Sequence, residues 1–122
     1  MDADFITTSV NKRVVLHCTG ELDLVSRTEF AVRLGEIASA AMPWVVIDLE
    51  GVTFMDCGAV TLLERMARRM GPTRSVVVVA PHGIVRRLLT VVDLDPSVRF
   101  ASTFEEAVSG RVLPHRSLKE IA

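Results

Sequence analysis

The chain has 122 residues, 49% of them hydrophobic, which suits one compact domain with a buried core rather than two domains. Fourteen basic and fifteen acidic residues give a formal net charge of -1, so no global field attracts nucleic acid or an anionic membrane. No apolar run approaches the roughly 18 to 20 residues that span a bilayer, and the N-terminus is acidic where a signal peptide would be basic, so we expect a cytoplasmic protein.

The first elements in the chain are two strands and a helix. DFITTSV and RVVLHCTG have the composition of strands, and Asn11-Lys12 between them suits a tight hairpin turn. The next stretch, SRTEFAVRLGEIASAAM, has apolar residues at helical spacing, and Ser26 with Glu29 forms the pattern of a capping box at its start. The apolar stripe of this helix comprises Phe30, Leu34, Ile37, Ala38 and Ala41.

The middle of the chain predicts a buried strand, a helix and a second buried strand. After Pro43, the continuous apolar run WVVIDL is typical of a strand covered on both faces. GAVTLLERMARRM follows as an amphipathic helix that ends at Gly71-Pro72. Leu62, Leu63 and Met66 of this helix are expected in the core. SVVVVA is the next apolar strand.

The last part of the chain predicts two more helices around one strand. HGIVRRLLTVV indicates a short helix, SVRFA a strand, and STFEEAV a helix capped either by Ser102 with Glu105 or by Thr103 with Glu106. The whole order predicts an α/β fold with a mostly parallel sheet that begins antiparallel. We expect one domain over residues 1–110 and a flexible tail over residues 111–122.

Enzyme and metal chemistry find little support in the sequence. A nucleophilic thiol at Cys57 would need a base, and only His82 falls near the carboxyl ends of the strands, with no acid or amide visibly placed to orient it. A phosphoaspartate receiver domain would need a lysine near the last strands, whereas Lys12 and Lys119 lie near the chain ends. Because metal-ligand spacings and glycine-rich phosphate loops are also missing, we expect no catalysis, metal or cofactor.

Three stretches together resemble a known family. TGELDLVSRTEF, VVIDLEGVTFMD and PHGIVRRLLTVVDLD, in this order and at this spacing, are similar to single-domain STAS proteins that act as anti-sigma factor antagonists. The resemblance covers about residues 5 to 110. It implies a STAS fold, with a mixed, mostly parallel sheet of about five strands and about four helices.

The resemblance also implies a function in partner switching. Such an anti-anti-sigma factor is not an enzyme: it binds a serine-kinase-like anti-sigma factor and so releases a sigma factor, which regulates transcription. The alternative is a STAS subunit attached to a membrane transporter or a lipid-transport ATPase. Both share one fold, and fold alone does not decide between them.

One position departs from the family pattern. The residue after the aspartate of the F-M-D motif is usually a serine, which the kinase partner phosphorylates to break the complex; here it is Cys57. A phosphate would add about 1.5 to 2 negative charges to a surface that must meet a partner closely. A neutral thiol is about the size of a hydroxyl, so Cys57 resembles the unphosphorylated, binding-competent state.

Three interpretations of Cys57 remain open at this stage. The thiol is a small filler packed at the strand end, or it marks a constitutively competent antagonist, which is compatible with the first interpretation. The third is a redox switch, in which Cys57 is oxidised or pairs with Cys18 or an outside thiol. Parallel strands would bring both cysteines to one end of the sheet, but a disulfide requires Cα atoms within about 7 Å.

The predicted contact surface lies at the carboxyl ends of the strands. It is centred on Asp56, Cys57, Gly58 and Thr61. Glu21 and Asp23 leave the second strand at the same end, where they either contact the partner or shape the turn and cap the first helix. Asp56 is also expected to bind free amides at the start of the following helix.

Overall fold

The computed structural model describes residues 2–71, 73–79, 82–92 and 94–109. The strands in these ranges are β1 (Asp4–Val10), β2 (Arg13–Leu22), β3 (Trp44–Met55), β4 (Ser75–Val79) and β5 (Val98–Ala101). The helices are α1 (Arg27–Ser39), α2 (Cys57–Met70), α3 (Gly83–Val91) and α4 (Phe104–Ser109). The predicted tail, residues 111–122, lies outside the described ranges.

The strands form one mixed sheet in the order β1-β2-β3-β4-β5. β1 pairs antiparallel with β2, and each later pair is parallel. Asn11 and Lys12 join β1 to β2 with φ values of 51° and 64°, the left-handed conformation that a two-residue type I′ hairpin turn requires. The predicted hairpin and the mostly parallel sheet are therefore confirmed.

Two apolar layers cover the sheet. Side chains of α1, α2 and α3 pack on one face, around the fully buried Phe30, Ile47 and Leu63. The short helix α4 packs on part of the other face, where Ala107 meets valines of β2, β3 and β4. Successive strand residues point to opposite faces, so this arrangement explains the continuous apolar runs in β3 and β4.

β3 extends six residues beyond the predicted WVVIDL segment and ends at Met55. Its register with β2 shifts between His17 and Thr19 and again between Gly20 and Glu21. Such irregularities leave extra residues on one strand and bend it, which lets β3 continue through a polar stretch. The extension carries the chain to the point where α2 begins.

The predicted capping box at Ser26 is wrong. The Ser26 hydroxyl donates to the Glu21 carbonyl at 2.8 Å and accepts the Asp23 amide at 3.1 Å, so it stabilises the turn before α1 and forms no cap hydrogen bond. The predicted length of the helix is also wrong, since α1 ends at Ser39 and Ala41 is exposed beyond it.

The C-terminal end of α1 is closed by an arginine from a distant loop. The Arg74 guanidinium donates to the carbonyls of Ala38 and Ala40 at 2.7 Å each and of Met42 at 2.9 Å. Carbonyls at a helix end have no partner within the helix, and they carry the negative end of its dipole. The Arg74 guanidinium donates hydrogen bonds to these carbonyls and places a positive charge at the negative end of the dipole. It also joins α1 to the start of β4.

α4 uses one of its two predicted caps. The Thr103 hydroxyl accepts the Glu106 amide at 3.1 Å, as the Thr103 alternative predicts. The Glu106 carboxylate does not return to Thr103 but accepts from the amide and hydroxyl of Ser102 at 3.0 and 2.9 Å. The cap by Thr103 is therefore confirmed, whereas the Ser102 alternative is wrong, because Ser102 contacts Glu106 and not Glu105.

Candidate functional site

The carboxyl ends of β2 and β3 meet at the start of α2. Leu22 lies opposite Met55 in the register, and the Asp56 amide donates to the Leu22 carbonyl at 3.0 Å. α2 begins at the next residue, Cys57. This pairing places Asp23, Asp56 and Cys57 at one end of the sheet, as the sequence predicts.

Asp56 is the N-cap of α2 and forms an ion pair with an arginine of α1. Its Oδ1 accepts the Ala59 amide at 2.9 Å, which confirms the predicted contact with a free helix amide. Its Oδ2 lies 3.3 Å from Nη2 of Arg27, on α1. The two side chains are 28% and 40% exposed, so solvent screens this ion pair and its contribution to stability is small.

Gly58 leaves the space that Arg27 occupies. A Cβ atom at position 58 would overlap the Arg27 guanidinium, which therefore lies directly over the backbone of Gly58. A glycine in the first turn permits this close approach. The result is a positive group beside the positive end of the α2 dipole, next to Cys57.

Cys57 is exposed at the first position of α2. Its carbonyl accepts the Thr61 hydroxyl at 3.0 Å, so the polar atom of Thr61 is engaged within the helix. The filler interpretation is wrong, because the thiol does not pack into the strand end. An exposed thiol remains open to a partner and to reagents.

Cys18 lies elsewhere, on the core side of β2. Its side chain is 2% exposed, and this burial raises the pKa of the thiol far above its ordinary value, with Asp48 as a smaller cause. Cys18 precedes Leu22 by four strand positions, or about 13 Å along β2. The structure therefore does not bring Cys18 and Cys57 within disulfide distance.

The two acids of the GELDL stretch have different surroundings. The Asp23 carboxylate accepts the amides of Val25 and Ser26 at 3.0 and 3.3 Å, so it shapes the turn before α1. Glu21 is half-buried and lines a shallow acidic depression of about 260 Å³. Asp2, Asp23 and Glu29 supply the other carboxylates of this depression.

Three exposed apolar residues at this end of the sheet were not predicted. Leu24 is 73% exposed, Val25 is 89% exposed and Phe54 is 39% exposed. Exposed apolar side chains that form a contiguous patch mark contact surfaces, and Leu24 and Val25 are adjacent in the chain. The adjacent pair Leu24-Val25, which fits no strand or helix periodicity, was the available sequence signal.

The sequence-predicted base candidate His82 is engaged by the backbone of β3. The His82 ring nitrogen Nε2 is 2.7 Å from the Glu50 carbonyl, seven residues before Cys57 in the chain. Within the described ranges, no group of three or more His, Cys, Asp or Glu residues is arranged to hold a metal ion. None of the helices in those ranges combines the length and apolar character that a bilayer crossing requires.

A separate polar chain lies on the α4 side of the sheet. His17 Nδ1 is 2.9 Å from Asp48 Oδ2, and its Nε2 is 3.0 Å from the Thr8 hydroxyl. The imidazole also packs on the Phe104 ring, with centroids 5.4 Å apart. These contacts tie β1, β2 and β3 to α4 across a half-buried surface.

The sequence is similar to a known protein family and to a named relative. Residues 5–107 match the family model described as STAS domain. The chain is 30% identical over 110 residues to the anti-sigma-F factor antagonist RsfB of Mycobacterium tuberculosis, covering 88% of this chain and 90% of the relative.

Solved structures of anti-sigma factor antagonists share the fold. One from Mycobacterium paratuberculosis aligns with a TM-score of 0.82 at 22% identity, covering 89% of this chain and 93% of that one. The phosphorylated form of the Bacillus cell fate determinant SpoIIAA aligns with a TM-score of 0.67 at 22% identity, covering 88% and 98%.

Proposed function

Since the chain belongs to the STAS domain family, we propose that it is an anti-sigma factor antagonist that binds a kinase-like anti-sigma factor and thereby releases a sigma factor. The observation that carries this proposal is the 30% identity to an anti-sigma-F factor antagonist over nearly the whole length of both chains. The exposed start of α2 supports it, because it offers a contact surface at the position expected for the switch.

The contact surface combines apolar area with a neutral centre. Leu24, Val25 and Phe54 are exposed at the same end of the sheet as Cys57. Removing such side chains from water against a partner is favourable, and this gain offsets the freedom that the two proteins lose on binding. Leu24 and Val25 follow β2 on an irregular turn that Asp23 holds in place, so the surface is fixed before the partner arrives.

Cys57 determines how this surface is regulated. A kinase that transfers phosphate to a serine hydroxyl finds a thiol here, so the usual phosphorylated, released state does not form. The Asp56 carboxylate, next to Cys57 in the chain, accepts the Ala59 amide and pairs with Arg27, so its own negative charge is compensated. The antagonist is therefore constitutively competent toward its partner.

Oxidation of Cys57 would be a form of control that does not need the kinase. The thiol is exposed, and peroxide would convert it to a sulfenic acid with release of water. Cys18 takes no part, because it is buried and distant. This control would act by enlarging a side chain at the centre of the contact surface.

The test uses purified kinase-like anti-sigma factors from the same organism. Wild type should bind one of them and release its sigma factor, with no label transferred from radioactive ATP. Cys57→Ser should bind and then be labelled and released, whereas Cys57→Asp should bind more weakly from the start. Recovery of a transport ATPase as the specific partner would instead favour the membrane-complex alternative, and labelling of the wild-type chain would contradict constitutive competence.

A further inference from the structure

A groove between α1 and α2 has the features of a second contact site. It has a volume of about 200 Å³, and much of its lining is apolar. The apolar part of its lining comprises Ala31, Leu34, Gly35, Leu62 and Met66. Arg65 and Arg69, on consecutive turns of α2, also line the groove.

Gly35 is not explained by contacts within the chain. It lies in the middle of α1, where glycine costs about 1 kcal/mol relative to alanine. A Cβ atom at this position would have no neighbouring atom within 4 Å, and the residue has no positive φ. Nothing in the described fold therefore requires a glycine, whereas a molecule lying in the groove would approach closest where the side chain is missing.

The charge along the groove is positive and uncompensated. Among the residues that the structure describes, neither Arg65 nor Arg69 forms an ion pair, and both are exposed. Their neighbour Arg68 differs, because it pairs with Glu64 at 3.0 Å. The groove thus presents two available guanidinium groups beside an apolar lining, which complements a segment that carries both apolar and acidic side chains.

The groove is continuous with the surface around Cys57. Cys57, Thr61 and Arg65 are spaced four residues apart on α2, so they lie on one stripe of the helix, and all three are exposed. A partner that covers the start of α2 can therefore extend along this stripe into the groove.

We propose that this groove binds an acidic, apolar-anchored segment of the anti-sigma factor, with the apolar anchor over Gly35 and the acidic side chains against Arg65 and Arg69. The proposal rests on the function proposed above and adds a second contact region to it. The start of α2 provides the neutral centre of the interface, and the groove provides its charged, orienting part.

The experiment measures the affinity of the anti-sigma factor that binds wild type, by titration calorimetry at two salt concentrations. Arg65→Glu and Arg69→Glu should each weaken binding about tenfold, more strongly at low salt. Arg87→Glu makes the same charge change on an exposed arginine of α3 and should alter the affinity less than about twofold. Gly35→Leu should weaken binding at least about tenfold by filling the groove.

The outcomes separate the two proposals. Unchanged affinity of Arg65→Glu, Arg69→Glu and Gly35→Leu, with wild type still bound, overturns the groove and leaves the proposed function standing. Failure of every anti-sigma factor to bind wild type overturns both. If Gly35→Leu instead abolishes self-association in sedimentation and leaves anti-sigma affinity intact, the occupant is a second copy of the chain and the proposal is wrong. A melting temperature of Gly35→Leu at or above that of wild type shows that the variant is folded.

Discussion

Cys18 should make the protein less stable in mild alkali. Burial raises the pKa of this thiol far above its ordinary value, and the negative charge of Asp48 adds to the effect. The unfolded chain loses the thiol proton from about pH 8.5, whereas the folded chain keeps it. Because the unfolded state then binds fewer protons than the native state, the free energy of unfolding falls as the pH rises.

The size of this effect follows from one proton. The slope is about 1.4 kcal/mol per pH unit once the pH exceeds the ordinary thiol pKa. By pH 10 the free energy of unfolding should have fallen by about 2 kcal/mol, whereas below pH 8 this thiol should leave it nearly unchanged. The chain suits the measurement, since it has no tyrosine and its only lysines are Lys12 and Lys119.

The assay is urea unfolding from pH 7 to pH 10 with three proteins. Wild type and Cys57→Ser should both lose about 2 kcal/mol, because both retain the buried thiol. Cys18→Ala should be less stable than wild type at pH 7 because of the cavity it creates. Between pH 7 and pH 10, however, it should lose about 2 kcal/mol less than wild type does. Parallel pH dependences for wild type and Cys18→Ala would refute the reasoning.

Three further predictions concern single side chains. Asp56→Ala removes the cap at the Ala59 amide and should lower the free energy of unfolding by about 1 to 2 kcal/mol in urea, and an unchanged midpoint would contradict the capping role. Arg74→Met frees three carbonyls at the end of α1 and should lower it by about 2 to 3 kcal/mol, whereas Arg69→Met should have little effect on thermal unfolding. Gly35→Ala should raise it by about 1 kcal/mol, and a loss of stability would mean that the fold itself requires the glycine.

Local patterns predicted most of the fold. Asn11-Lys12 tolerates positive φ, and the apolar runs of β3 and β4 require cover on both faces, so the hairpin and the parallel sheet could be recognised without coordinates. The capping box failed because the Ser26 hydroxyl is engaged by Glu21 and Asp23, a competition that spacing alone does not show. Local hydrogen bonding of serine in turns competes with capping.

Long-range contacts limited prediction of the site. Asp56 could be assigned as a cap because its partner is three residues away, whereas Arg27 comes from another element and was missed. Arg74 was missed for the same reason, since the carbonyls it binds lie 32 to 36 residues earlier in the chain. The distance between Cys18 and Cys57 depends on the register of β2 with β3, which the sequence pattern does not determine.

The order of the strands in the sheet has a consequence for synthesis. Each strand after β1 pairs with the one that precedes it in the chain, so its partner has already been synthesised when it leaves the ribosome. This order lets the sheet grow from the N-terminal side as the ribosome releases the polypeptide. The hairpin and β3, which carry the start of α2, can therefore be paired while the last two strands are still being translated.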